Sequence, residues 1–369
     1  MPRRPSTRNN FPVAIICALK VEYDAVSHLV DWWGDGDGYG KAAGDRNTYK
    51  TGRMGDVNVV LVRLSGTGKS ISSAATAGLS LSFPRLKLVI LAGICGGVPS
   101  GTTDQKPLLG DVVISNSIVE YDLGKQYSDG FETSPDFGDR LGGMKESVRS
   151  LVVTLEADHW RGILEGQAAD FLKQLQKKAL YKLYKGKPVK YPGAAKDRLY
   201  EHSYPHKHQL SMPPICGECC NSDNYTVGRD RLEGKRKLEE HGFTQDAQAP
   251  RVFFGPFASG DQVMKSAEHR DEIAKKFGVM AFEMEGVGVW GQAPCIIVKG
   301  VCDYADSHKD KVWQPFAAAT AASVARALVE YHTKSLLADE EDRPEQLAHR
   351  VDAVTSPGSR TLNTVNLNT

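Results

Sequence analysis

The chain has 369 residues and a formal net charge of +1, with 41% hydrophobic and 25% charged residues. That balance fits a globular protein with room for one large α/β domain carrying an insertion, or for two domains. It argues against nucleic acid or a membrane surface as the main partner, and no stretch approaches the roughly 18 apolar residues of a membrane-spanning helix. The seven cysteines are an odd number, and Cys17, Cys95, Cys295 and Cys302 sit inside apolar runs. This fits reduced thiols and a cytoplasmic location better than a disulfide framework.

Residues 1–10 read as a disordered leader. Its basic residues precede a short apolar run, but Lys20 and Glu22 follow that run where a signal peptide would carry a cleavage site. Phe11 to Leu19 reads as a fully buried strand. A helical pattern through Val30 follows, with Glu22 at its start. Glu22 either complements the helix dipole or faces a pocket behind the strand. After a Gly/Asp-rich loop, Tyr49–Gly52 and Val57–Leu64 read as a hairpin turning at Gly55-Asp56. The segment Ser65-Gly66-Thr67-Gly68-Lys69-Ser70 imitates a phosphate loop, but Arg63 occupies the slot where the full pattern requires its first glycine. A glycine-enabled turn from strand to an Ala/Ser-rich helix, Ile71–Ser82, is the favoured reading.

Leu86–Leu91 is a further buried strand, running into Ala92-Gly93-Ile94-Cys95-Gly96-Gly97, where glycines permit close approach of backbone to a ligand. A long β-branched strand, VVISNSIVEYD, starts at Val112. From about 140 to 249 the character changes to charged helical periodicity over Val148–Tyr184, then to Lys-, Pro- and Tyr-rich sequence. His202, His206, His208, Cys216, Cys219 and Cys220 cluster there. A zinc site would be expected to show a second C-x-x-C. The favoured reading is an exposed, loop-rich insertion with incidental cysteines and no metal. Core character resumes at Arg251–Phe257, followed by a charged helix, Ser266–Phe277, and a last Ala-rich amphipathic helix, Trp313–Tyr331. The chain from Leu337 onward is polar and is expected to be a disordered tail.

Between these helices lies the most informative stretch. A strand-like MAFEMEG carries Glu283 and Glu285 around Met284, and the apolar run CIIVKGV ends on Cys302-Asp303. Strand interiors disfavour Glu and Asp, and an unpartnered buried carboxylate is costly. Such residues cap the next segment or meet a ligand, and strand ends are where α/β sheets bind ligands. Alternating strands and helices indicate an α/β fold with a central mixed sheet.

Taken together, VAIICALKVEYDAV, SGTGKSISSAATAGL, LAGICGGV, GDVVISNSIVEYD, FASGDQVM, FEMEGVGVW and GVCDYADSHKDKVWQPFAAATAA resemble the nucleoside phosphorylase superfamily. The likeness is to its nucleosidase branch, which includes methylthioadenosine/S-adenosylhomocysteine nucleosidases, and to fungal versions that occur alone or fused to immune-receptor-like proteins. It covers about Val13 to Tyr331 without the insertion. The resemblance implies a three-layer α/β/α fold with a central mixed twisted sheet, plus the insertion at about 140–249. It implies a cofactor-free purine nucleosidase, working as a homodimer on a small-molecule purine nucleoside. Asp303 matches the acid at purine N7, Glu22 the residue that activates water, Glu285 the carboxylate on the ribose hydroxyls and Met284 the floor beneath the sugar. Glu283 lines the same pocket, the backbone at Val263 and Met264 reads the purine edge, and Gly93 to Gly96 border the nucleophile. Phosphorylases of the superfamily place Ser in the Gly-rich turn and Arg near the first strand, whereas this chain has Ile94 in the turn and no Arg at Cys17–Lys20. That departure favours water as nucleophile. The alternatives are phosphorolysis, a nucleotide (ATP or AMP) as substrate, or a non-catalytic nucleoside sensor in an immune-type pathway.

Overall fold

A computed structural model describes residues 4–32, 38–99, 107–128, 130–133, 143–180, 189–206 and 223–337. His208, Cys216, Cys219, Cys220 and the tail from 338 lie outside the described residues. Chain contacts separate Met1–Leu336 from Leu337–Thr369, and only Leu337 of the second unit is described.

Nine of the eleven described strands form one sheet, and the other two pair as a separate hairpin. The elements, in chain order, begin with β1 (Val13–Cys17), α1 (Lys20–Ser27), β2 (Asp31–Trp32), β3 (Tyr49–Met54), β4 (Val57–Arg63) and α2 (Lys69–Ser82). Then come β5 (Leu88–Gly97), β6 (Val112–Glu120), a small hairpin of β7 (Gly124–Gln126) and β8 (Phe131–Thr133), and four helices. These helices are α3 (Glu146–Glu156), α4 (Asp158–Leu180), α5 (Asp230–Glu240) and α6 (Thr244–Gln248). The chain then runs through β9 (Val252–Ser259), α7 (Ala267–Phe277), β10 (Ala281–Glu283), α8 (Gly286–Trp290), β11 (Cys295–Asp303) and α9 (Gln314–Ala327).

Strand order is β10-β9-β6-β11-β5-β1-β4-β3-β2. The core β1, β4, β5 and β11 run parallel, while β6 lies antiparallel to β11. Every residue of β1 and β11 is buried, as expected of strands covered on both faces. Short β10 also pairs antiparallel with β5, Phe282 opposite Gly96. This second pairing closes β5, β11, β6, β9 and β10 into a ring, and brings the ends of β5, β10 and β11 to one place.

Helices cover both faces, giving the three-layer α/β/α arrangement. Gly286 of α8 abuts Ile297 of β11, whereas Gly300, three residues along the same strand, abuts Ala317 of α9. An odd spacing on a strand points to opposite faces. α1, α4 and α9 pack together, as do α2 and α8. Two expectations change here. The last helix is not amphipathic, because Phe316 through Ala327 are all buried between the sheet, α1 and α4. Its alanines allow that close approach on every side. The stretch expected as a loop-rich insertion also supplies the core helix α4, whose Leu164, Ala168, Leu172 and Leu175 are fully buried. Of the leader, residues 8–10 form a 3₁₀ turn capped by Thr7, and the Arg4 guanidinium donates to the Tyr39 hydroxyl. Tyr39 in turn stacks edge-on against Phe11.

Candidate active site

A cavity of about 330 Å³ opens where β1, β5, β10 and β11 end. Its lining includes Glu22, Ile94, Gly96, Val263, Met264, Glu283, Met284, Glu285 and Asp303. Every carboxylate singled out from the sequence is therefore in one place. Gly93 is the exception among the predicted residues, since it lies behind the wall. A Cβ there would come within 2.3 Å of Glu22 Oε1 and 3.0 Å of Lys299 Nζ, so glycine makes room for two buried charges.

Glu22 is the third residue of α1 and only 2% exposed. Its Oε2 accepts the backbone N–H groups of Ala18 (2.9 Å) and Leu19 (2.7 Å), and its Oε1 accepts that of Ile94 (2.8 Å). Glu22 thus lies in the first turn of α1 and also lines the cavity. Burial pushes its pKa up, opposed by the nearby Lys299 cation and by these N–H donors.

Glu283 ends β10, and its carboxylate accepts the N–H groups of Glu285 and Gly286, each at 2.9 Å. It thus caps α8 and fixes the Met284-Glu285 corner that follows it. Burial raises its pKa, with the Lys299 charge opposing. Glu285 stands at the N-cap of α8 and is held on both sides. Ser72 of α2 donates to its carbonyl (2.8 Å), and Lys299 Nζ lies 3.2 Å from its Oε2.

Lys299 was not singled out from the sequence. It sits mid-strand in β11 opposite Gly93, is 1% exposed, and lies 3.7 Å from Glu283 as well as against Glu285. Burial alone would favour the neutral amine, but Glu285, Glu22 and Glu283 together outweigh it and hold the ammonium. The signal was available, since a lone lysine inside the apolar run CIIVKGV requires buried partners of opposite charge.

Asp303 ends β11 just past a register shift that sets it opposite Gly96. A Cβ on Gly96 would stand 3.0 Å from Asp303 Oδ1. Asp303 Oδ1 accepts the Ala305 N–H (2.9 Å), which braces Ala305 in a left-handed conformation (φ 52°) rare outside glycine. Its Oδ2 accepts the Cys302 thiol (3.3 Å) and pairs with Lys309 Nζ (3.2 Å). Burial pushes the Cys17, Cys95 and Cys302 thiols up, so none of them is poised as a thiolate nucleophile.

The phosphate-loop imitation resolves as structure. Lys69 Nζ bonds Glu120 and Asp122, each at 2.6 Å, and the N–H of Lys69 at the start of α2 donates to Asp261 Oδ1 (2.8 Å). The lysine and the helix N-terminus that would bind phosphate already hold carboxylates. Among the described residues no cluster of His, Cys, Asp and Glu could hold a metal. Nor is any described helix long and apolar enough to cross a membrane.

No family model matches the chain. A nucleotide-binding leucine-rich repeat (NLR)-like protein of Hyaloscypha variabilis is 27% identical over 356 residues, and the match takes in 94% of this chain. The chain spans about a third of that relative's length, 31%. Among solved structures, the futalosine hydrolase of Helicobacter pylori is similar at 17% identity and TM-score 0.48, covering 87% of this chain and 98% of its own. The 5′-methylthioadenosine/S-adenosylhomocysteine nucleosidase of Neisseria meningitidis is similar at 18% identity and TM-score 0.45, covering 86% and 98%. The corresponding nucleosidase of S. pneumoniae is similar at 17% identity and TM-score 0.45, again covering 86% and 98%.

Proposed function

We propose that this chain is a purine nucleoside N-ribohydrolase, cleaving the N-glycosidic bond with water and releasing free base and ribose. The observation that carries this reading is the convergence of Glu22, Glu285 and Asp303 on one cavity. N-glycosidic cleavage develops positive charge on the sugar and negative charge on the leaving base, as in glycoside hydrolysis. In this reading Glu285, fixed by Lys299, accepts from the ribose hydroxyls and stabilises the developing cation. Glu22 takes the proton of the attacking water. Asp303 serves N7 of the departing purine, Met284 supports the sugar, and the Val263–Met264 segment borders the base. No cofactor is called for, and the working unit is a homodimer.

Water is favoured over phosphate by the charge balance. Lys299 is held by Glu285 and Glu283, and Lys309 by Asp303. A phosphate dianion would enter among carboxylates whose neighbouring cations are already paired. The test is release of free base from a panel of purine nucleosides and nucleotides, with and without phosphate. A strict phosphate requirement would replace the hydrolase reading with a phosphorylase.

A second reading follows from the longer NLR-like relative. The chain would then be the nucleoside-binding portion of an immune-type receptor. Saturable nucleoside binding without base release would favour it.

A further inference from the structure

Every partner of Asp303 donates to it. The Ala305 N–H, the Cys302 thiol and the Lys309 ammonium surround its two oxygens, and none accepts from them. A group arranged wholly as an acceptor needs a proton brought to it before it can protonate a leaving base. Cys302 and Asp303 are 4% exposed, while the Lys309 side chain is 25% exposed. Lys309 also lines two cavities. One is the site described above, and the other is an outer cavity of about 270 Å³ whose lining includes Lys196, Arg198, Asp306, His308 and Asp310. The two cavities share Cys302, Asp303 and Lys309. Lys309, with the most exposed side chain of the three, therefore stands beside Asp303 where the two cavities meet.

We propose that Lys309 is a proton-relay residue, supplying through Asp303 the proton that the departing base takes up. This rests on the hydrolase reading above. In the step, the C1′–N9 bond breaks and its electron pair stays with the base. The Lys309 ammonium passes a proton to Asp303, which hands it to N7. The resulting amine is reprotonated by water from the outer cavity. The proton lost by the nucleophilic water leaves through Glu22, so the overall reaction consumes one water and no net proton.

The test compares a purine nucleoside with 4-nitrophenyl riboside, whose phenolate departs without protonation, in the wild type and in Lys309→Met and Lys309→Arg. A relay predicts a loss in kcat of about a hundredfold or more on the purine nucleoside, the scale of acid–base assistance. On the nitrophenyl substrate the loss is a few-fold at most. Arginine keeps the charge but does not give up a proton, so it should not restore the purine rate, whereas small primary amines added to Lys309→Met should. Equal losses on both substrates, or full activity with arginine, would show that Lys309 acts only through its charge and overturn the relay. A wild type that cleaves neither substrate overturns the hydrolase reading, and the relay with it. A wild type that releases base while Lys309→Met does so at the same rate overturns the relay alone.

Discussion

In the proposed hydrolysis Glu22 has two demands to meet at once, since a general base must be ionised and yet this one sits in a place that burial makes hostile to charge. Three backbone N–H donors and Lys299 offset the burial, and the net shift is still upward from the ordinary 4.5. The acidic limb of kcat/KM for base release is therefore expected above 4.5. Glu22→Gln should lower kcat at least about a hundredfold and abolish that limb. An unchanged rate or an unchanged limb would remove Glu22 from its role. Lys299 poses the complementary case. Lys299→Met strips the counter-charge from Glu22, Glu283 and Glu285, and breaking a buried ion pair costs about 3–5 kcal/mol. Glu22 and Glu283 have folded-state pKa values above their ordinary 4.5, so the native state binds more protons than the unfolded chain. Their contribution to stability therefore falls as pH rises from 4.5 toward those raised values. Removing Lys299 should steepen that fall, which denaturant titrations across pH would detect. At this scale the sequence was informative about carboxylates because Glu and Asp are conspicuous beside apolar strands. It was less so about Lys299, whose meaning depends on partners 14 or more residues away that only the fold brings near.

At the scale of elements, hydrophobic pattern located the strands and helices well because fully buried strands make continuous apolar runs. β3 and β4 form the expected hairpin around Gly55, and the charged helix expected over Ser266–Phe277 runs over Ala267–Phe277, with Ser266 as its cap. The pattern was silent on the β10–β5 pairing. Ala281–Glu283 is too short to announce a partner, and that pairing closes the ring beside the site. It also misjudged α9, since alanines read as a helix former without saying that every side would be covered. Gly300 marks that contact, because a Cβ there would come within 2.0 Å of the Ala317 carbonyl oxygen. Gly300→Ala must push α9 off β11, and overpacking of this kind costs about 1–3 kcal/mol. The expected result is a lower denaturation midpoint together with reduced activity, since β11 carries both Lys299 and Asp303. A midpoint equal to that of the wild type would mean that α9 is less tightly seated than described.

Across the whole molecule, the stretch from about 140 to 249 does more than decorate the fold. α4 completes the layer around α9. Asp197 accepts from the Leu109 N–H, the Tyr304 hydroxyl and the Arg229 guanidinium. Tyr304 follows Asp303 directly, and its carbonyl is held from α7 by Arg270 (2.7 Å). The residue next to Asp303 is thus clamped from two parts of the chain. The helical period of α4 was legible beforehand, but its burial and the Asp197 contacts were not, because irregular polar sequence carries no period and its contacts are set by distant partners. The central claim, water-driven cleavage by carboxylates gathered at the strand ends, is tested most directly by free-base release from purine nucleosides in phosphate-free buffer. The account predicts turnover that added phosphate does not accelerate, with ribose rather than ribose 1-phosphate as the second product. Turnover only when phosphate is present, with ribose 1-phosphate formed, would contradict it.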